Sequence, residues 1–363
     1  MRKITWQEAT AGAYDLIIVG SGFAGSIMGK LMRDAGKRVL LLEAGAGEGP
    51  AYSQHLEYVQ NYMNALAKTP NSPYPNSPNA PQPEVTDVEA LTPKNIPSHN
   101  GYFVQMGPYP FESNYVRRLG GTSLHWFGSC PRMLPEDFSM KSLFDQAVDW
   151  PLTYDDLLPY YTLAEESIGV SAEVEEQQYH GIHFESGYVY PMHRIPPTYL
   201  DQWMTRGLAG KILPGEQLSE IRSIPQGRNS IPNGNYRHGK GYKPSGAAGN
   251  PATGQRCMGN SSCIPICPIQ ARYNSLKTLE QTSIDVLTQT VVSRLIADSE
   301  TGIIHKLLCK VWFDDQSTAH QDIELSAPWV VLAANAIENA VLLQASGLCS
   351  ESGQLGRNLM DNP

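Results

Sequence analysis

Cysteine, clustered positive charge and long apolar runs are all scarce in this sequence of 363 residues. Six cysteines are too few for a disulfide scaffold. The net charge of −9, with no Lys/Arg cluster, argues against a nucleic-acid partner. No apolar run approaches the roughly 20 residues that cross a bilayer, and residues 1–22 lack the layout of a signal peptide. These absences indicate a globular protein with a large core.

Residues 14–45 have the pattern of a strand, a glycine turn, a helix and a second strand. The apolar runs Leu16–Val19 and Val39–Leu42 predict strands that are buried on both faces. The helix between them is predicted from four apolar residues at helical spacing: Ile27, Met28, Leu31 and Met32. The segment is therefore a βαβ unit.

The turn of this unit has the spacing G-x-G-x-x-G, formed by Gly20, Gly22 and Gly25. The first glycine allows a tight turn, the second lets the backbone approach a pyrophosphate, and the third lets helix and strand pack closely. Glu43 follows the second strand, near the offset at which a carboxylate binds a ribose hydroxyl. The pattern predicts a dinucleotide site and does not distinguish NAD from FAD.

The last third of the chain returns to the strand–turn–helix pattern at residues 329–347, after a hairpin predicted from Ile303–Phe313 and Asp322–Leu325. The first and last thirds therefore belong to one nucleotide-binding domain, and the middle is an inserted lobe. The Pro- and Asn-rich stretch at residues 69–97 is either a flexible linker or an ordered loop over a site.

Half of the cysteines lie close together, as C-x5-C-x3-C at Cys257, Cys263 and Cys267. Zinc normally takes four ligands with shorter spacings, a disulfide would leave one thiol over, and a nucleophile needs no cysteine neighbours. An iron–sulfur cluster fits better, because three thiolates can hold a cluster that lacks one iron. The other cysteines are expected to be small buried hydrophobic residues: Cys130, Cys309 and Cys349.

Several segments resemble the FAD-binding parts of the glucose–methanol–choline (GMC) oxidoreductases. They are the glycine turn, "RRLGGTSLHW" at Arg117–Trp126, and "VVLAANAIENAVLLQASG" followed by "GQLGRNLMDNP". "DWPLTYDDLLPYY" and "CMGNSSCIPICPIQARYNSLKT" resemble segments of the bacterial branch that contains the catalytic subunits of FAD-dependent glucose, gluconate, sorbitol and fructose dehydrogenases. The resemblance extends over nearly the whole chain.

The resemblance implies an α/β fold: a Rossmann-like FAD-binding domain with an inserted α+β lobe for substrate and cluster, and with the C-terminal part missing. The expected parts are a βαβ unit at 1–50, an FAD-covering loop with a flavin-contacting segment at 51–135, the inserted lobe at 136–280, and the returning FAD-binding segment at 281–363.

The resemblance also implies residues that contact FAD: Gly120, Gly121, Thr122, Val292 and Asn335. His125 either bonds covalently to the flavin, as the matching histidine does in some relatives, or is an ordinary histidine beside it. Cys257, Cys263 and Cys267 would hold a [3Fe–4S] cluster. The cluster would pass electrons singly from reduced flavin to a cytochrome, which favours a dehydrogenase over an oxidase.

The implied function is oxidation of a CH–OH group of a sugar, polyol or sugar acid, together with a cytochrome c subunit and a small chaperone-like subunit, at the periplasmic face of the inner membrane. The family's catalytic histidine is expected beyond Pro363, and Asn362 departs from the family's usual "MDHP", so the sequence is expected to be an N-terminal portion. Two alternatives are a non-catalytic remnant that still binds a nucleotide or a partner subunit, and an FAD oxidase that uses O2.

Overall fold

The computed structural model describes residues 1–45, 119–124, 126, 128–213, 216–217, 222–244, 251–257, 273, 275–313, 319–357 and 359. The chain divides into two compact units. The first comprises Met1–Trp126 and Asn274–Pro363, and the second comprises Phe127–Tyr273. The second unit is thus an insertion between two halves of the first.

The described strands are β1 (Arg2–Lys3), β2 (Leu16–Val19), β3 (Val39–Leu42), β4 (Ile212–Leu213), β5 (Glu216–Gln217), β6 (Asp285–Leu287), β7 (Thr290–Ala297), β8 (Ile304–Trp312), β9 (His320–Leu325) and β10 (Trp329–Leu332). The described helices are α1 (Trp6–Ala11), α2 (Phe23–Asp34), α3 (Met140–Phe144), α4 (Tyr154–Ile168), α5 (Tyr199–Leu208), α6 (Tyr236–Gly239), α7 (Ser275–Glu280) and α8 (Ala336–Ser346). Both strands and the helix predicted for the first βαβ unit are confirmed.

The first unit contains a parallel sheet with the strand order β1-β6-β3-β2-β10 and an antiparallel sheet with the order β7-β8-β9. Alternate residues of β2 enter two different cores. Leu16 and Ile18 pack with Leu279 of α7, whereas Ile17 and Val19 pack with residues of the antiparallel sheet. Burial on both faces explains the unbroken apolar run of β2. The predicted α/β class and Rossmann-like fold are confirmed.

Helix α7 packs within the first unit, although the sequence-based boundaries assign residues 275–280 to the inserted lobe. The hydroxyl groups of Ser26 in α2 and Ser275 in α7 are 3.1 Å apart and form a hydrogen bond, and both residues are fully buried. The physical reason is that α7 covers one face of the parallel sheet. The unit boundary therefore lies at residues 273–274 and not at 280–281.

The second unit is organised around a buried ion pair between Arg132 and Glu165. The Arg132 guanidinium donates two hydrogen bonds, of 2.7 and 2.8 Å, to the Glu165 carboxylate. Aromatic rings surround the pair, with Phe184 4.3 Å from the guanidinium carbon. Thr153 caps α4, because its side-chain oxygen accepts a hydrogen bond from the Asp156 N–H. No helix within the described ranges is long and apolar enough to cross a membrane.

Candidate cofactor site

The glycine turn between β2 and α2 is shaped by crowding at two glycines and by open space at the third. A Cβ atom on Gly20, which has φ +102°, would lie 2.4 Å from the Ala333 carbonyl oxygen. A Cβ atom on Gly25 would lie 1.9 Å from the Gly20 carbonyl oxygen. A Cβ atom on Gly22 would have no neighbour within 4 Å. The first and third glycines are therefore needed for packing, and the second leaves room for a ligand.

Glu43 lies directly after β3 with its carboxylate buried against the same turn. Oε2 accepts hydrogen bonds from the Ser21 backbone N–H, at 3.0 Å, and from the Ser21 hydroxyl. Oε1 accepts one from the Gly45 N–H at 2.9 Å. These donors compensate for the burial of a polar group that is only 6% exposed. The carboxylate is held in one orientation at the end of the strand.

A cavity of about 290 Å³ opens at the carboxyl end of the parallel sheet. Ligands of open α/β sheets bind at this end of the strands. The volume is near the lower end of the range for small-molecule sites. Seven of the predicted cofactor residues line it: Gly20, Gly22, Glu43, Gly121, Thr122, Val292 and Asn335.

The remaining predicted residues are placed differently. Gly25 lies behind the cavity, against the turn. Gly120 is buried, and its N–H donates to the Ser21 hydroxyl at 2.8 Å. His125, Cys263 and Cys267 lie outside the described residues. Val292 is near the beginning of β7.

Asn335, in the turn between β10 and α8, has an unusual backbone conformation with φ +126° and ψ 175°. This region is populated almost only by glycine, and other residues occupy it at a cost of about 1–3 kcal/mol. The Asn335 side-chain oxygen accepts a hydrogen bond of 2.9 Å from the Glu338 N–H and so caps α8. The cap helps to hold this strained backbone beside the cavity.

Sequence reasoning missed three polar residues of the cavity. Ser21 lies inside the glycine motif and joins it to Glu43. Thr290 is 1% exposed, and its N–H donates to the Glu43 carbonyl at 2.9 Å. Glu338 lies in the first turn of α8 and lines the cavity. Only Ser21 could have been found, because it stands between two motif glycines.

The described cysteines differ in burial. Cys257 belongs to the second unit, is 6% exposed and donates its N–H to the Asn229 carbonyl at 2.7 Å. Cys309 is 2% exposed, as predicted for a small buried residue, and burial raises the pKa of its thiol to about 12. Cys130 is only partly buried from solvent, although desolvation also raises the pKa of its thiol to about 12. The same prediction is wrong for Cys349, which is exposed because it lies in the turn after α8.

Two family models match the chain. A "GMC oxidoreductase" model matches residues 241–363, and an "NAD(P)-binding Rossmann-like domain" model matches residues 18–68. Among curated proteins, the fructose dehydrogenase large subunit of Gluconobacter japonicus is 29% identical over 371 residues, which are 96% of this chain and 58% of that protein. The 2-methyl-1,2-propanediol dehydrogenase of Mycolicibacterium austroafricanum is 27% identical over 176 residues, which are 47% of this chain and 27% of that protein.

Two solved structures also resemble the chain. Pyridoxine 4-oxidase from Mesorbium loti has a TM-score of 0.43 and 18% identity, over 92% of this chain and 52% of that one. Formate oxidase has a TM-score of 0.44 and 14% identity, over 93% of this chain and 48% of that one. The chain spans 58% of the fructose dehydrogenase subunit and 27% of the diol dehydrogenase. The match of the GMC oxidoreductase model to the last third of the chain and the similarity to the fructose dehydrogenase subunit over 96% of this chain support a place in the GMC oxidoreductase family, in its bacterial dehydrogenase branch.

Proposed function

We propose that this chain is the FAD-binding and cluster-bearing portion of a dehydrogenase that oxidises a CH–OH group of a sugar, polyol or sugar acid. The observation that carries the proposal is the single cavity that joins the glycine turn, Glu43 and the Gly121–Thr122 segment. The similarity to a fructose dehydrogenase subunit supports the substrate class.

The residues present fit a dinucleotide. The open space at Gly22 would admit a pyrophosphate beside the N-terminus of α2, whose backbone N–H groups and dipole favour negative charge. Glu43 would accept hydrogen bonds from a ribose, and Val292 would contact the adenine. The cavity volume suits the AMP half, and the flavin half would extend along Gly120, Gly121 and Thr122.

Bound FAD would supply a two-electron acceptor for the hydride of the substrate. The residues of this chain would bind and orient it: Glu43 fixes the ribose, and the buried turn at Gly120 aligns the flavin side. His125 would lie beside the flavin, either bonded to it or packed against it. The base that removes the hydroxyl proton is not assigned to any histidine of this chain.

We further propose that Cys257, Cys263 and Cys267 bind a [3Fe–4S] cluster. Their spacing, the resemblance of the surrounding sequence and the burial of Cys257 support the proposal. Such a cluster would pass single electrons to a cytochrome c partner. A small chaperone-like subunit and a site at the periplasmic face of the inner membrane belong to the same proposal.

The test is anaerobic purification followed by visible spectroscopy, iron and sulfide analysis, and activity with an artificial dye or O2 as acceptor. We expect flavin bands, about three irons per chain and dye reduction without O2 in the complete enzyme. Cys257→Ser should lose the iron and keep the flavin, while Cys349→Ser, at an exposed cysteine, should keep both. Iron that survives Cys257→Ser contradicts the cluster assignment. A colourless protein indicates the remnant, and full turnover with O2 indicates the oxidase.

A further inference from the structure

Buried serine hydroxyls hold both polar groups of the Gly120 backbone. The Gly120 N–H donates to the Ser21 Oγ at 2.8 Å. The Ser123 Oγ donates to the Gly120 carbonyl at 2.7 Å and accepts from the Ser275 N–H at 3.0 Å. Ser21 and Ser123 are 1% and 2% exposed. Gly120 itself has φ +101°, so these bonds fix a backbone turn that water does not reach.

Ser21 also contacts the carboxylate at the other side of the cavity. Its hydroxyl accepts from Gly120 and donates its one proton to Glu43 Oε2. A single side chain therefore joins Glu43 to the backbone segment that begins at Gly120. Gly121, which follows, approaches the glycine turn closely, since a Cβ atom on it would lie 3.3 Å from the Gly22 Cα.

We propose that Ser21 is a positioning residue that couples the nucleotide half of the FAD site to the flavin half. The proposal rests on FAD being the cofactor. Through the hydrogen bonds of Ser21, the orientation of Glu43 and the orientation of the Gly120–Thr122 segment become mutually dependent. Ser21 does not need to touch the reacting atoms for this role.

Removal of the Ser21 hydroxyl should affect the nucleotide half and the flavin half of the proposed FAD site unequally. In Ser21→Ala the Glu43 carboxylate keeps its bond from the residue 21 backbone N–H, at 3.0 Å. The Gly120 N–H, in contrast, loses its acceptor while it stays buried, which is costly. We therefore expect AMP affinity to change by no more than about threefold, and FAD affinity to fall by roughly 5- to 150-fold.

The experiment is calorimetric titration of the full chain with AMP and with FAD. Every protein carries His125→Ala, so that no covalent flavin bond can form. Ser21→Ala is compared with the parent and with Glu43→Gln, whose amide oxygen can still accept from the Ser21 hydroxyl. Glu43→Gln should therefore keep the connection to Gly120 and weaken AMP and FAD by similar factors, through the ribose that both ligands contain. Selective loss of FAD in Ser21→Ala supports the coupling. Equal loss of both ligands, or no loss, overturns it.

Ser123→Ala provides a second test, because it releases the Gly120 carbonyl without touching Glu43. It should also weaken FAD selectively, and the two serine changes should combine non-additively because they act on one residue. If Ser21→Ala does not fold, Ser123→Ala carries the test alone, and unchanged FAD affinity there overturns the proposal. If the folded parent chain binds AMP but not FAD, FAD is the wrong cofactor and the proposed function itself fails.

Discussion

Alanine substitutions at two glycines of the same turn should separate cofactor binding from folding. In Gly22→Ala the added methyl group meets nothing within 4 Å, and the backbone φ of −67° is one that alanine adopts readily. We expect a free energy of unfolding within about 1 kcal/mol of the parent. The methyl group would occupy the space proposed for the pyrophosphate, so FAD affinity should fall at least about tenfold, or about 1.4 kcal/mol.

Gly25→Ala is the matched comparison. Its methyl group would lie 1.9 Å from the Gly20 carbonyl oxygen, and a backbone atom at that distance can be relieved only by moving α2. Overpacking of this kind costs about 1–3 kcal/mol, so Gly25→Ala should lose stability as well as FAD affinity. Urea unfolding and FAD fluorescence titration of both variants give the two quantities. Undiminished FAD binding by Gly22→Ala would refute the assignment of the open space to the cofactor.

Two further predictions concern charge. Glu165→Gln should destabilise the second unit by about 3–5 kcal/mol, because it leaves Arg132 buried with a side chain only 1% exposed. Glu166→Gln removes a carboxylate from a solvent-facing pair and should cost much less in the same urea titration; equal losses would contradict the role given to burial. The hydrogen bond from the Arg2 guanidinium lowers the pKa of Asp285. The ionised Asp285 carboxylate should therefore stabilise the fold above about pH 4, and this contribution should be lost as the pH falls through the lowered pKa of Asp285 in the folded state. Asp285→Asn should reduce this acid-dependent loss, and an unchanged pH profile would contradict it.

The strands and helices of the first unit could be predicted because their signals are local. Leu16–Val19 and Val39–Leu42 are continuous apolar runs, and the structure buries both faces of each. The hairpin predicted from Ile303–Phe313 and Asp322–Leu325 corresponds to β8 and β9, which pair antiparallel. The motif glycines could be predicted because the turn needs a residue without a side chain at each of them. Gly20 and Gly25 avoid clashes with backbone oxygens, and Gly22 leaves space for a ligand.

The remaining features depend on contacts between distant parts of the chain. The bond between Ser21 and Gly120 spans 99 residues, and no local pattern marks either partner for it. The backbone of Asn335 adopts a conformation that its residue type disfavours, so propensity points away from it. The end of the inserted lobe also depends on such contacts, because α7 belongs to the first unit through the packing of Leu276 and Leu279 on strands that precede it by more than 200 residues.

The central claim is that the cavity at the end of the parallel sheet binds FAD. The most direct test is equilibrium titration of the folded, flavin-free His125→Ala chain with FAD, followed by quenching of flavin fluorescence. The account predicts saturation at one FAD per chain, with weaker binding in Gly22→Ala and Glu43→Gln. Fluorescence that stays at its free value, with a chain whose circular dichroism shows it to be folded, would contradict it.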